Sequence, residues 1–289
     1  MQTTLVVTTF NRPSALRLAL LSIARQETLP FEVIVADDGS SPETGEMVTA
    51  MAADFPVPLR YSWQENAGFR LSLSRNRAIA KTSGDYIVMM DGDLILHPRF
   101  IRDHQRVGRK NTLVQGIRIR LEERETERIL ENGLIHPDSF SPYYRWHYNA
   151  WRLPWVWGIP GRPWIARDHF KGTKGCNMGF FRKDCLAVNG FDENFQTYGG
   201  EDNDFTRRLI AYGIRRKFLR FGAIAWHLWH PSQATPPLSR REKYLLSLQT
   251  ADPDSPPEKI YRAENGIDKH LSPELLTPAS PGTTPQDHL

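Results

Sequence analysis

Over the first third of the chain, hydrophobic residues come in short unbroken runs, each followed by polar residues and then a stretch of helical period. Thr4–Thr8 (TLVVT), Phe31–Ala36 (FEVIVA) and Tyr86–Met90 (YIVMM) show no alternation of apolar and polar positions, which is the pattern of strands buried on both faces. Leu59–Trp63 reads as a further strand. Pro13 opens a helix with Leu16, Ala19, Leu20 and Ile23 at helical spacing, and helices are predicted over about Glu43–Ala53 and Ser72–Ala80. This alternation predicts an α/β fold with a mostly parallel central sheet covered by helices on both faces. Ligands of such sheets bind beyond the carboxyl ends of the strands, so the residues just after each strand carry the chemical interest.

The pattern loosens after about residue 120. Glu122–Glu131 reads as a highly charged, exposed helix, and residues 139–172 are rich in Trp, Tyr, Pro and Arg without a clean period. Regularity returns with Cys176–Phe181, a helical turn from Arg182, and an acidic-headed helix over about Glu201–Tyr212. Two short strands, Lys217–Phe221 and Ala223–His227, follow. Residues 232–289 are polar and proline-dotted and are predicted to form a partly disordered extension, with 271–289 as its tail. No internal repeat is visible.

Composition narrows the class. A chain of 289 residues with 40% hydrophobic content fits one large domain or two modest ones and is not wholly disordered. No stretch approaches the roughly 20 apolar residues of a membrane-spanning helix. No basic-then-apolar leader precedes the first strand, and the cysteines, Cys176 and Cys185, are too few for a disulfide framework or a four-ligand zinc site. A cytoplasmic location is expected. The net charge of +4, from 37 basic and 33 acidic residues, does not point to nucleic acid, but it suits a phosphate-bearing substrate or an anionic membrane surface. Of the 8 tryptophans, Trp146, Trp151, Trp155, Trp157 and Trp164 fall in one short stretch, which composition alone does not explain.

Candidate chemistry gathers where the strands end. Asp91-Gly92-Asp93 directly follows YIVMM, and paired carboxylates there suit a hard divalent cation; the plain alternative is an Asp-Gly turn. Asp37-Asp38 holds the equivalent place after the second strand, where a carboxylate can bind a ribose or a base, or simply cap a solvated turn. Thr8-Thr9-Phe10-Asn11-Arg12 adds an aromatic face with polar edges. Arg75, in NAGFRLSLSRNR, offers a phosphate partner or a surface charge. Tyr198-Gly199-Gly200-Glu201-Asp202-Asn203-Asp204 exceeds what an acidic helix cap requires, and a carboxylate held there beside a substrate hydroxyl makes a plausible general base. His227 and His230, in WHLWHP, are three apart, and either is a possible metal ligand or a structural residue.

Taken together, VVTTFNRP, ADDGS, NAGFRLSLSRNRA and DGD resemble, in order, the family 2 glycosyltransferases of GT-A (Rossmann-like) fold, over about residues 3–231. GCNMGFFRKD, VNGFDENF and YGGEDNDFTRRL are similar to the galactosyltransferase-type C-terminal region found in bacterial chondroitin polymerase domains and β-1,4-galactosyltransferases. The resemblance implies a GT-A domain over 1–231, with a nucleotide-sugar-binding half (1–120) and an acceptor and catalytic half (121–231) that includes the aromatic loop 139–172 as an acceptor-side insertion. It implies an inverting transferase that uses a nucleotide-diphosphate sugar, most often a UDP-sugar, with Mn2+ or Mg2+ as cofactor. The acceptor would be a hydroxyl of a glycan or a lipid-linked molecule, the second of these with peripheral membrane association. By the same resemblance Thr8, Phe10 and Asp38 match nucleoside-binding positions, and Arg75 one near the base or diphosphate. Asp91 matches the ribose- or water-contacting carboxylate, Asp93 the metal-ligating one, and His227 the late metal ligand, with His230 as its substitute. Asp202 matches the catalytic base, while Glu201, Tyr198 and Gly200 match substrate-contacting positions. Relatives often carry Trp where this chain has Tyr198, so sugar specificity does not transfer.

Two other readings compete. A sugar-nucleotide-forming nucleotidyltransferase shares such a sheet but usually carries a glycine-rich basic loop after the first strand, where this chain has TTFNRP. A non-catalytic nucleotide-sugar or membrane-surface binding protein would have no need of DGD, GGED and the late histidine together.

Overall fold

The computed structural model describes residues 1–158, 170, 172–196, 199–231 and 260–272. The apolar runs form β1 (Thr3–Thr9), β2 (Glu32–Asp37), β3 (Leu59–Trp63) and β4 (Tyr86–Asp91), and between them lie α1 (Pro13–Ala24), α2 (Pro42–Ala52) and α3 (Leu71–Ala80). Next come β5 (Leu94–Leu96), α4 (Phe100–Val107), β6 (Thr112–Gln115), β7 (Ile119–Arg120), α5 (Glu123–Asn132) and α6 (Pro142–Arg145). The ordered body continues with β8 (Asn177–Phe181), α7 (Arg182–Ala187), α8 (Glu201–Ala211), β9 (Arg215–Phe218) and β10 (Ala225–His227).

Seven strands form one sheet in the order β3-β2-β1-β4-β8-β6-β9. All neighbours pair in parallel except β8, which runs antiparallel to both β4 and β6. The mostly parallel α/β sheet read from the sequence is therefore present. Side-chain parity explains the unbroken apolar runs. Leu5, Val7, Val33, Val35, Val88 and Met90 point to one face, where they pack with α1, α2 and α4. Val6, Ile34, Ala36, Ile87 and Met89 point to the other face, against Ala78 and Ile79 of α3 and Phe205 and Leu209 of α8. With both faces covered, a polar residue on either parity is buried, and the one charge within TLVVT, FEVIVA and YIVMM, Glu32, accepts from Thr4 Oγ1 and pairs with Arg60.

A second sheet, β5-β10-β7, packs Ile95, Ile119 and Trp226 against Ile129 of α5 and Tyr144 of α6. It places Leu94, His227 and Arg120 side by side, which brings the start of β5, the end of β10 and the end of β7 together. β5, β6 and β7 are not predicted from the sequence, because strands of two to four residues are too short to show a period, and α4 is not among the predicted elements either. The two late strands are shorter than predicted and belong to different sheets. Phe221 and Ala223 have φ of 58° and 45°, left-handed values that end β9 and delay β10. The Glu122–Glu131 helix is also less exposed than its charge suggests, since Glu125, Thr126 and Ile129 of α5 are buried.

Residues 260–272 pack onto the turn that follows α7. Ala263 and Ile267 are buried, and the Ala263 and Ile267 amides donate to Val188 O and Asn189 O at 3.0 Å. Asn189 Oδ1 accepts from the Asp268 amide, and Glu193 receives Asn76 Nδ2 (2.8 Å), Lys269 Nζ (2.6 Å) and the His270 ring (2.8 Å). Asn76 also exchanges hydrogen bonds with both the N–H and the C=O of Phe191, so this cluster fixes α3 against the 188–193 turn. The tail predicted for 271–289 lies outside the described residues beyond Ser272, as does the stretch 232–259.

Burial pushes the Glu193 carboxyl up, but the hydrogen bonds from His270, Asn76 and Lys269 outweigh it and hold the group below the ordinary carboxylate range. Such a group contributes stability that is present above its unfolded pKa and lost as pH falls through the folded value. Below about pH 4.3 the wild-type melting temperature is therefore expected to fall more steeply with pH than that of Glu193→Gln. Thermal melts of both proteins across this range check it, and parallel curves would remove Glu193 as the source.

Candidate active site

The mouth of the large sheet is built from the ends of β1, β2 and β4. Gly92 separates the two carboxylates of the Asp-Gly-Asp turn, and its amide donates to Thr8 O at 2.7 Å. A Cβ there would stand 2.9 Å from Thr8 O and 3.1 Å from Leu16, so only glycine lets β4 turn this tightly against β1. Thr8 Oγ1 donates to Asp91 Oδ1 at 3.1 Å. The adjacent acids after β2 have different tasks. Asp37 caps its own turn, accepting from the amides of Gly39 and Ser40 and from Tyr61 OH. Asp38 accepts from Gln64 Nε2 (2.6 Å) and the Arg70 amide (2.9 Å), tying the 64–70 loop to the site, and burial pushes its carboxyl up. Phe10 is exposed at the end of β1.

Asp93 lies at the junction of the two sheets. Its Oδ2 contacts Arg12 Nη1 at 2.7 Å and the Nε2 atoms of His227 and His230 at 3.5 Å each, while its buried Oδ1 has no partner among the described residues. One ligand atom from each of Asp93, His227 and His230 falls within 4.8 Å of the other two. Burial, then the charge of Asp91, pushes Asp93 up to about 6. Burial, then the neighbouring cationic groups led by Arg118, pushes His227 down to about 3. The imidazole is therefore neutral, the form that ligates metals. A carboxylate with an unspent oxygen beside two imidazole nitrogens is a donor set that suits a divalent transition metal such as Mn2+, so these residues fit the expected ion. Asp91 stands apart from this group, 3.4 Å from Arg118.

Across the mouth, Gly199 and Gly200 (φ 91° and 117°) turn the chain into α8, a conformation costly for any residue with a Cβ. The acidic run then divides. Asp204 pairs with Arg208 at 2.8 Å, and Arg208 is held by Val188 O and Gly190 O. Asn203 Oδ1 accepts from the Thr173 amide. Only Glu201 and Asp202 face the site. Asp202 receives Arg75 Nη1 on Oδ1 (2.8 Å) and the Gly175 amide on Oδ2 (2.7 Å). A Cβ at Gly175 would collide with Asp202, which explains a glycine there. Glu201 lies 3.6 Å from Arg75, with Oε2 buried and unpartnered among the described residues. Burial, then the charge of Asp202, pushes Glu201 up to about 7.

Arg75 is fully buried beneath Asp202 and Glu201, with its guanidinium over the Phe191 ring at 5.1 Å. It acts first as their counter-ion, a role its sequence context did not suggest. Tyr198 lies outside the described residues. Arg12 and Arg118 were not singled out from the sequence, and the only signal either offered was an arginine soon after a strand. Buried Asn177 places Arg118 by donating to Ile117 O and Ala223 O at 2.8 and 2.9 Å. Burial pushes the Cys176 thiol up to about 12, so it is protonated at neutral pH and not a nucleophile. In the aromatic stretch, Trp146, Trp151 and Trp155 are exposed, whereas Trp157 Nε1 donates to Arg220 O at 2.8 Å and packs on Gly222. Trp164 lies outside the described residues.

Several known proteins resemble this chain in sequence or in fold. The hyaluronan synthase of Pasteurella multocida is 27% identical over 251 residues, covering 79% of this chain and 25% of that protein. The validoxylamine A glucosyltransferase of Streptomyces hygroscopicus subsp. limoneus is 25% identical over 80% of this chain and 52% of its own. The chain thus spans a quarter to about half of these relatives. Among solved structures, S. aureus TarS 1–349 in complex with UDP-GlcNAc superposes with a TM-score of 0.60 at 16% identity, covering 87% of this chain and 68% of that one. The mannosyltransferase PcManGT of Pyrobaculum calidifontis, in complex with GDP-Man and Mn2+, gives 0.56 at 18% identity, covering 89% and 66%. These likenesses establish the GT-A fold. The family model "N-terminal domain of galactosyltransferase" matches residues 161–230. The model "Glycosyl transferase family 2" matches residues 4–162, more than half of the sequence, and the chain belongs to that family.

Proposed function

We propose that the protein is an inverting, metal-dependent glycosyltransferase that moves a sugar from a nucleotide-diphosphate donor of the UDP-sugar class to a hydroxyl of a glycan or lipid-linked acceptor. One observation carries this reading. Asp93, His227 and His230 converge on one side of the sheet mouth, and Asp202 and Glu201, held by Arg75, face it from the other. Thr8, Phe10 and Asp38 line the near end, where a nucleoside would lie. Asp93, His227 and His230 would hold Mn2+ or Mg2+, which when bound supplies charge neutralisation for the leaving diphosphate.

The chain's own groups then divide the work. Arg12 and Arg118, now paired with Asp93 and Asp91, present positive charge where the diphosphate would develop negative charge. Of the two α8 carboxylates that face the site, that of Asp202 is the more exposed and takes the proton of the acceptor hydroxyl. That oxygen forms the new bond to the anomeric carbon as the bond to the diphosphate breaks, and the leaving group keeps the electron pair. Attack from the opposite face inverts the anomeric configuration.

Incubation with UDP-sugars and Mn2+ is expected to release nucleoside diphosphate slowly without acceptor and faster with one. Release of pyrophosphate from UTP and a sugar 1-phosphate, with no UDP released from UDP-sugars, would point to a nucleotidyltransferase and overturn the proposal. Asp202→Asn is expected to lower transfer by at least about 100-fold while leaving UDP-sugar binding by thermal shift intact. Loss of nucleotide binding in a folded variant would count against its role as base. Removing metal with a chelator should abolish turnover. His227→Ala should raise the Mn2+ concentration for half-maximal activity by about tenfold or more, and an unchanged titration would exclude His227 as a ligand.

A further inference from the structure

Beside the mouth of the sheet, a cleft of about 540 Å³ runs between α5 and the start of α6. Glu122, Arg124, Glu127, Arg128 and Glu131 line one wall and Tyr143 stands on the other. We propose that this cleft is a saccharide-binding subsite, which holds a neutral or amino-bearing sugar unit of the acceptor away from the point of transfer. The inference rests on the transferase reading above and names the acceptor chemistry of that same site.

The floor of the cleft is fixed. Glu125 accepts from Arg128 Nη2 (2.7 Å), Arg128 Nε (3.0 Å) and the Ser141 amide (2.8 Å), and Arg128 also donates to Ser139 O. The other charged groups of the cleft are not committed. The side chains of Glu122, Arg124, Glu127 and Glu131 are exposed and make no hydrogen bond or ion pair with another described residue. Tyr143 is 68% exposed, its ring braced edge-on by Tyr144 at 4.9 Å. A pyranose offers a patch of C–H bonds on its faces and hydroxyls around its rim. A braced aromatic ring opposite planar carboxylate and guanidinium groups matches both.

Charge selects among sugars. The lining has four carboxylates against two guanidinium groups, an excess of negative charge that disfavours uronic acids and anionic lipid headgroups. Position links the cleft to the reaction. The Leu121 amide donates to His227 O at 2.9 Å, and Thr126 Oγ1 accepts from the Trp229 amide at 2.7 Å. Leu121, next to the lining residue Glu122, and Thr126, on the buried face of α5, thus tie this helix to the end of β10 and to the loop that carries His230. The exposed Trp146, Trp151 and Trp155 lie farther along the same stretch of chain, with Arg145 over the Trp146 ring at 5.3 Å.

Fluorescence anisotropy with labelled cellotetraose, chitotetraose, a glucosamine tetramer and a hyaluronan tetrasaccharide tests this on the full chain, alongside flotation with phosphatidylglycerol vesicles. At least one neutral or amino tetrasaccharide should bind more tightly than the hyaluronan fragment. Tyr143→Ala should weaken that binding about tenfold, and Tyr143→Phe should keep it. Glu127→Gln, on an exposed helix face, should also weaken it. Absence of binding by every neutral and amino probe, affinity unaffected by Tyr143→Ala in a folded protein, or capture by vesicles in place of sugars would each overturn the proposal. Thermal shift of the wild type with UDP-sugar and Mn2+ is read in parallel. Failure there refutes the transferase reading, whereas failure of the sugar panel alone refutes only the subsite.

Discussion

Arg75 is buried with Asp202 at 2.8 Å, Glu201 at 3.6 Å and the charge of Asp91 within electrostatic reach, and the geometry of the mouth depends on that single guanidinium. Taking a carboxylate out of water costs several kcal/mol even after relaxation, and one cation does not neutralise three anions. Burial first, and the neighbouring carboxylate charge after it, raise Glu201 to about 7 and Asp93 to about 6. Arg12 and Arg118 lower the charge density without cancelling it. A site with this residual negative charge suits a divalent cation, and the same arginines suit the diphosphate that would arrive with it. Arg75 also sits beside Asn76, which bonds to both backbone groups of Phe191. The counter-ion is therefore anchored through the cluster that residues 260–272 complete.

The large sheet was readable because its cause is local. Runs such as YIVMM must be apolar on both parities when helices cover both faces, and no distant residue is needed to see it. The same holds for Pro13 at the start of α1 and for the acidic first turn of α8. Harder to read were elements whose identity depends on a partner. β7 has two residues and exists because His227 and Trp226 lie beside it. The antiparallel direction of β8 is set by its pairing with β4 and β6, which no period reports.

The site was legible as a set of residues but not as a set of contacts. DGD, GGED and the two histidines were all marked, yet the sequence could not assign Arg75 to Asp202, 127 positions away. The resemblance singled out Asp38, but the sequence could not show that Asp37 caps its own turn while Asp38 holds the loop before α3. His227 and His230 looked like alternatives, and the fold puts both against Asp93, because β10 pairs with β5 and the 228–230 turn folds back over the Asp-Gly-Asp bend. Pairings at such separation are fixed by topology, and residue type supplies only the candidates.

The adjacent acids at the head of α8 illustrate how environment divides roles between similar groups. Both belong to the same turn and both face Arg75, but the Asp202 side chain is 18% exposed and that of Glu201 5%. In the proposed reaction a base must touch the incoming hydroxyl, and only the more open carboxylate can do so. Glu201 is raised to about 7 and keeps one buried oxygen unpartnered among the described residues, so near neutral pH it is present in both protonation states. Protonated, it can donate a hydrogen bond to a sugar oxygen; ionised, it can accept one from a sugar hydroxyl. Exchanging the two residues would bury the shorter side chain and expose the longer one, moving the base away from the position that Arg75 and the Gly175 amide define. The order Glu-Asp after the paired glycines thus has a geometric reason, independent of which sugar is transferred.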